Sequence, residues 1–132
     1  MAASDQPLGN DSSVQEARTI FASLRALLRD YEGDFVVKAD KPNHCCLETR
    51  APSLNGRRLL FASAKIKKKY VSYYLPPLFM FPELSIRISP ALREKLQGQS
   101  CFNFTALDQD CVAELKRLTQ AGFFALKSKA LL

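Results

Sequence analysis

RRLLFASAKIKKKYVSYYL, residues 57–75, is the stretch on which the fold turns. Leu59, Leu60, Phe61, Ile66, Tyr70, Val71, Tyr73 and Tyr74 are the large apolar, β-branched and aromatic types that fit a pleated surface. The stretch therefore reads as two long strands joined by a lysine-rich turn at residues 65–69, in the middle of a sheet. In the second strand, alternation sends Val71, Tyr73 and Leu75 to one face and Tyr70, Ser72 and Tyr74 to the other. One face is suited to a core, and the other is left for use.

Upstream, Val14, Ala17, Ile20, Phe21, Leu24, Leu27, Leu28 and Tyr31 recur at the spacing of one helical face, which predicts a helix over residues 14–32. Ser13 with Glu16 matches a capping box, and Gly33 is the expected stop. Residues 1–12 are small and turn-prone and are expected to be a disordered lead-in. Between the helix and the central pair, residues 35–39 and 44–51 read as a hairpin around Asp40, Lys41, Pro42 and Asn43; Asn55-Gly56 marks the next reversal. A meander follows from these short connections.

Downstream, Pro76 and Pro77 end the ladder because neither offers a backbone N–H. The apolar segment 78–84, with Leu78, Phe79, Met80, Phe81 and Leu84, must cover core, line a pocket or serve as an association patch. Ser89-Pro90 opens a short helix with Gly98 as its expected stop. Residues 100–105 read as the last strand, with Phe102 and Phe104 on one face. Asp108 caps a final helix ending near Ala121, with Gly122 as its stop, and residues 125–132 form a basic tail.

The chain has 132 residues, one domain by length, and 47% hydrophobic against 24% charged residues are ordinary globular values. No apolar run is long enough to span a bilayer, so no membrane partner is expected. The first residues lack the basic and apolar regions of an export signal, and the expected compartment is the cytoplasm. In that compartment Cys45, Cys46, Cys101 and Cys111 are expected as free thiols. A net charge of +6 favours an anionic partner such as nucleic acid.

The run KIKKKYVSYYLPPLFMFPELSIRISPALREKLQGQSCFNF, with the capped helix after it, resembles the YdhG-like family of small bacterial domains of unknown function. The resemblance covers about residues 59–124 and is carried by KKKYVSYYL and GQSCFNF. It implies a frataxin-like fold, a helix layer on an antiparallel sheet, and for some members a link to iron delivery. Frataxin-like iron sites use exposed carboxylates of the first helix, since such cations take oxygen ligands. Here that helix offers Glu16, Asp30 and Glu32 interspersed with Arg18, Arg25 and Arg29, and no iron ligand is carried over.

Three constellations carry chemistry. His44, Cys45 and Cys46 could hold a metal or form a Cys-His pair, but on a strand His44 and Cys46 share one face while Cys45 points away. A structural zinc normally takes four ligands, and a nucleophile needs its base within reach. They read as small buried thiols beside a surface histidine. Lys65, Lys67, Lys68 and Lys69, with Arg57 and Arg58 and with Tyr70, Tyr73 and Tyr74, have the composition of a nucleic-acid platform, cations for phosphate and rings for bases; the competing reading is a solvated turn. Ser63, Tyr70, Ser72 and Tyr74 could line a small-ligand pocket closed by residues 78–84.

The expectation is thus an α+β domain in two layers, an antiparallel sheet of about five strands with the N- and C-terminal helices on one face. The expected function is a non-enzymatic binding or chaperone-like domain, with nucleic-acid binding and a small-ligand pocket as alternatives. No catalytic residue, metal ligand or cofactor is named by the residues. A protein partner, or a second copy joined through a strand edge or the apolar loop, fits the same features.

Overall fold

The computed structural model describes residues 11–52 and 56–132. Helix α1 (Asp11–Arg29) is followed by β1 (Val36–Lys41), β2 (His44–Pro52), β3 (Arg58–Ile66) and β4 (Val71–Tyr74). Then come α2 (Pro77–Met80), a 3₁₀ turn (Pro82–Ser85), α3 (Pro90–Arg93), β5 (Leu96–Gln97), β6 (Cys101–Phe104) and α4 (Gln109–Ser128). The strands form one antiparallel sheet in the order β1-β2-β3-β4-β6-β5, and α1 and α4 both pack on one face of it. This is the expected two-layer α+β arrangement, with six strands rather than five.

The extra strand is Leu96–Gln97, which pairs with β6 as Leu96↔Phe102 and Gln97↔Cys101. Helix α3 lasts one turn, with Ser89 as its N-cap accepting from the Leu92 N–H at 3.2 Å. Gly98 therefore does not end a helix; at φ +72° it turns the chain from β5 into β6, a conformation that a side chain disfavours. Ser13's side chain, residues 1–10 of the expected lead-in and Asn55 of the expected turn lie outside the described residues, and α1 begins at Asp11.

The core follows from the two periodicities. From α1, Ala17, Ile20, Phe21, Leu24, Leu27 and Leu28 are buried, and from the sheet Cys45, Leu47, Ala62, Ala64, Val71, Tyr73, Phe102 and Phe104 meet them. The helix ends at Arg29, before the expected Glu32. Tyr31 then turns inward onto Phe61 (ring centroids 5.4 Å) and Phe123 (5.1 Å), and Phe35 stacks on Phe61 at 4.2 Å. Offset and edge-on aromatic contacts of this kind reward the early turn.

Helix α4 starts as expected, with Asp108 accepting from the Cys111 N–H at 3.1 Å, but runs past Gly122 to Ser128. Gly122 is required by packing instead: a Cβ there would lie 2.9 Å from Pro77 Cβ. Residues 125–128 thus belong to the helix. Its end is closed by Ala130 N–H to Lys127 O at 3.0 Å and Leu131 N–H to Leu126 O at 2.9 Å, the paired bonds of a Schellman motif, with Ala130 at φ +56°.

Candidate functional site on the open sheet face

With α1 and α4 on one side of the sheet, the other side keeps what alternation sends there. Register aligns these residues into rows. Lys41↔His44, His44↔Lys65, Lys65↔Ser72 and Ser72↔Asn103 are successive cross-strand partners, so one row crosses from β1 to β6. A second row runs Ala39, Cys46, Ser63, Tyr74, Cys101 and Gln97. Directly opposite side chains stand about 5 Å apart, close enough for one extended ligand to touch several.

The rows differ in height as well as chemistry. Ser72 and Cys46 are buried among their neighbours, and Ser63, Cys101 and Asn103 are half-buried, so small side chains make a floor. Lys41 and Lys65 are exposed above it, and Tyr74 keeps 40% of its surface in solvent. Lys67 N–H donates to Tyr70 O at 2.8 Å and closes the β3–β4 connection, placing Lys68 and Lys69 at an exposed tip. Lys65 sits within β3 rather than in the turn, which is why it joins the row.

The field over this face is positive. The His44 imidazole is held below its ordinary pKa first by partial burial and then by Lys65, Lys41 and Lys67. It is therefore neutral at pH 7, with hydrogen-bonding rather than ionic capacity. Glu48 is the acid near this seam, 3.9 Å from Lys38 Nζ. Asp40 turns to the helix side, where it pairs with Arg25.

Of the residues singled out from sequence, Lys65, Ser72 and Tyr74 come together on this face, with Lys67 and half-buried Tyr70 at its margin and Lys68 and Lys69 beyond. Tyr73 is fully buried, its hydroxyl 2.6 Å from Thr119 Oγ1, so it cannot stack on a ligand. Lys41, His44 and Asn103 join the platform only in the structure. Their signal was the alternation opposite Cys45, Phe102 and Phe104, read together with a two-residue turn at Pro42-Asn43.

Residues 78–84 lie elsewhere. Pro77 packs on Gly122 of α4 and Leu78 enters the core, so the segment sits with the helix layer, while Ser63, Ser72 and Tyr74 occupy the opposite face. A concavity of about 270 Å³ beside it is lined by Leu78, Phe79, Pro82, Ser85, Arg93 and others of that edge.

The thiols are chemically quiet. All four are free, and burial pushes Cys46 and Cys111 up to about 11 and raises Cys45 and Cys101, so each stays protonated at pH 7, the reverse of an activated nucleophile. Among the described residues no group of three His, Cys, Asp or Glu side chains could hold a metal ion. No helix among them is long and apolar enough to cross a membrane. Comparison with family models, curated proteins and solved structures finds no match for this chain.

Proposed function

We propose that this chain is a non-enzymatic cytosolic binding domain that holds single-stranded nucleic acid on its open sheet face. The observation that carries the reading is the row Lys41–His44–Lys65–Ser72–Asn103 running across the strands beside exposed Tyr74. Lysines at its end and middle take phosphates, a neutral histidine and the Ser72 and Asn103 side chains offer hydrogen bonds, and Tyr74 presents a ring for a base. The downward push on His44 by three lysines supports a potential suited to a polyanion. Sheet platforms of this kind leave one face free of helices, as the described residues do here. The resemblance of residues 59–124 to the YdhG-like domains supports the reading of a small binding domain.

The test is fluorescence anisotropy with a labelled single strand of roughly 12 nucleotides, within the span such platforms cover. With Lys41, Lys65 and Lys67 on phosphates, the logarithm of the affinity falls with that of salt at a slope of roughly −2. Lys65→Glu with Lys67→Glu abolishes binding, and Tyr74→Ala weakens it about tenfold. Affinity indifferent to salt and to these substitutions, or no binding at low salt, rejects the reading.

A further inference from the structure

A groove of about 660 Å³ opens between α4 and residues 83–87, on the helix layer and apart from the sheet face. A side-chain tie helps set its shape. Ser89 donates from its N–H to Glu114 Oε2 at 2.8 Å and from Oγ to Oε1 at 2.6 Å, which fixes the segment leaving the 3₁₀ turn against α4. Leu84, Leu118 and Ala121 give the groove its apolar surface. Ile86 stands at 76% exposure beside them, while its neighbour Ile88 is buried. An isoleucine that exposed, next to half-buried apolar groups, gains from whatever covers it.

The charges around the groove are unequal in what they have left to give. Each carboxylate oxygen of Glu114 accepts one hydrogen bond from Ser89, which holds that acid against the segment. Arg87 and Arg117 line the groove from its two sides, and neither has an ion-pair partner within 4.0 Å among the described residues. Glu83 is the remaining acid. Two uncommitted guanidiniums thus flank an apolar floor of the size small-molecule sites have, and a guanidinium fork matches a carboxylate bidentately.

We propose that this groove binds a soluble amphipathic anion, an apolar body bearing one carboxylate. The apolar body covers Leu84, Ile86 and Leu118, and the head group lies between Arg87 and Arg117. This assignment is independent of the sheet face: neither the ligand nor its contacts are shared with the lysine row.

The experiment uses the full chain and follows amide NMR signals during titration with decanoate, kept below the concentration at which it self-associates, with 1-decanol and decyltrimethylammonium as neutral and cationic counterparts. Saturable shifts at Leu84, Ile86, Leu118 and Ala121, with decanoate bound at least about tenfold more tightly than decanol, are expected. The double variant Arg87→Gln, Arg117→Gln equalises the two affinities. Both arginines are exposed, so their replacement leaves the fold intact; Ile86→Glu, also at an exposed position, is the second variant and weakens both ligands. Equal affinity for decanol and decanoate in the native chain, shifts scattered over the surface, or no saturation overturns the proposal. So does a response only to anionic vesicles, which would assign the arginines to a membrane surface.

Discussion

Removing either hydroxyl of the Tyr73–Thr119 pair should destabilise the chain, and removing both should cost less than the sum. The two oxygens are 2.6 Å apart and both residues are fully buried, one on the central strand β4 and the other on α4. Tyr73→Phe leaves Thr119 with a fallback, since a helical threonine can donate to the carbonyl four residues earlier, so the loss is about 1 kcal/mol. Thr119→Val keeps the shape but strands the tyrosine hydroxyl in the core, at about 2 kcal/mol. The double variant removes donor and acceptor together and should lose no more than about 1 kcal/mol, a coupling of about 2 kcal/mol. Urea denaturation at pH 7 measures this as shifts in midpoint at unchanged slope. Additive losses, or a Thr119→Val variant as stable as the native chain, would show that the hydrogen bond does not join the layers. Burial also pushes the Tyr73 phenol above its ordinary value, so it should ionise only as the chain unfolds.

Other outcomes follow from single contacts. Gly122→Ala gains about 1 kcal/mol of helix propensity but sets a Cβ 2.9 Å from Pro77, whose ring cannot yield as a flexible chain would. Overpacking of about 1–3 kcal/mol should win, and a raised urea midpoint would show the contact to be slack. Ala130→Gly should stabilise by up to about 1 kcal/mol, because Ala130 holds φ +56° in the closing turn of α4; an unchanged or lower melting temperature counts against that geometry. His44 titrates below its ordinary 6.5, so the unfolded chain takes up its proton first. Its contribution to stability is present above pH 6.5 and lost as pH falls through the folded-state value. An oligonucleotide on the lysine row should raise that value, seen as a displaced imidazole NMR titration, and binding should tighten from pH 8 to pH 6; a titration unmoved by saturating ligand would place the strand elsewhere.

What could be read in advance, and what could not, divides along the range of the interaction. Val71, Tyr73 and Leu75 announce their burial because a strand's alternation is local, and the same holds for the apolar spacing of α1 and the Asp108 cap. Leu96–Gln97 carries no such signal: two residues become a strand because β6 lies alongside. Gly98 and Gly122 both look like helix stops in the sequence, since a glycine's freedom is visible there while the neighbour that requires it is not. Gly122 is small for the sake of Pro77, a residue from another element.

The candidate site is a product of register, which explains why only part of it could be assembled beforehand. Lys65 and Tyr74 could be assigned to faces, but their partners depend on how far each strand slides, and a one-residue slip moves every side chain to the other face. Register shifts fall between Val37 and Ala39, where Lys38 is extra on β1, and between Leu47 and Glu48, where Phe61 is extra on β3, so counting along β1 from its far end would put Lys41 on the opposite face from His44. Counting from the tight Pro42-Asn43 turn puts them beside Lys65. The turn thus does two things, joining the hairpin and fixing which cations share a surface. If the lysine row binds a polyanion, lengthening that turn by one residue should disturb binding while the apolar core still gives β2 and β3 their pairing; unchanged affinity would mean that the row's alignment is incidental.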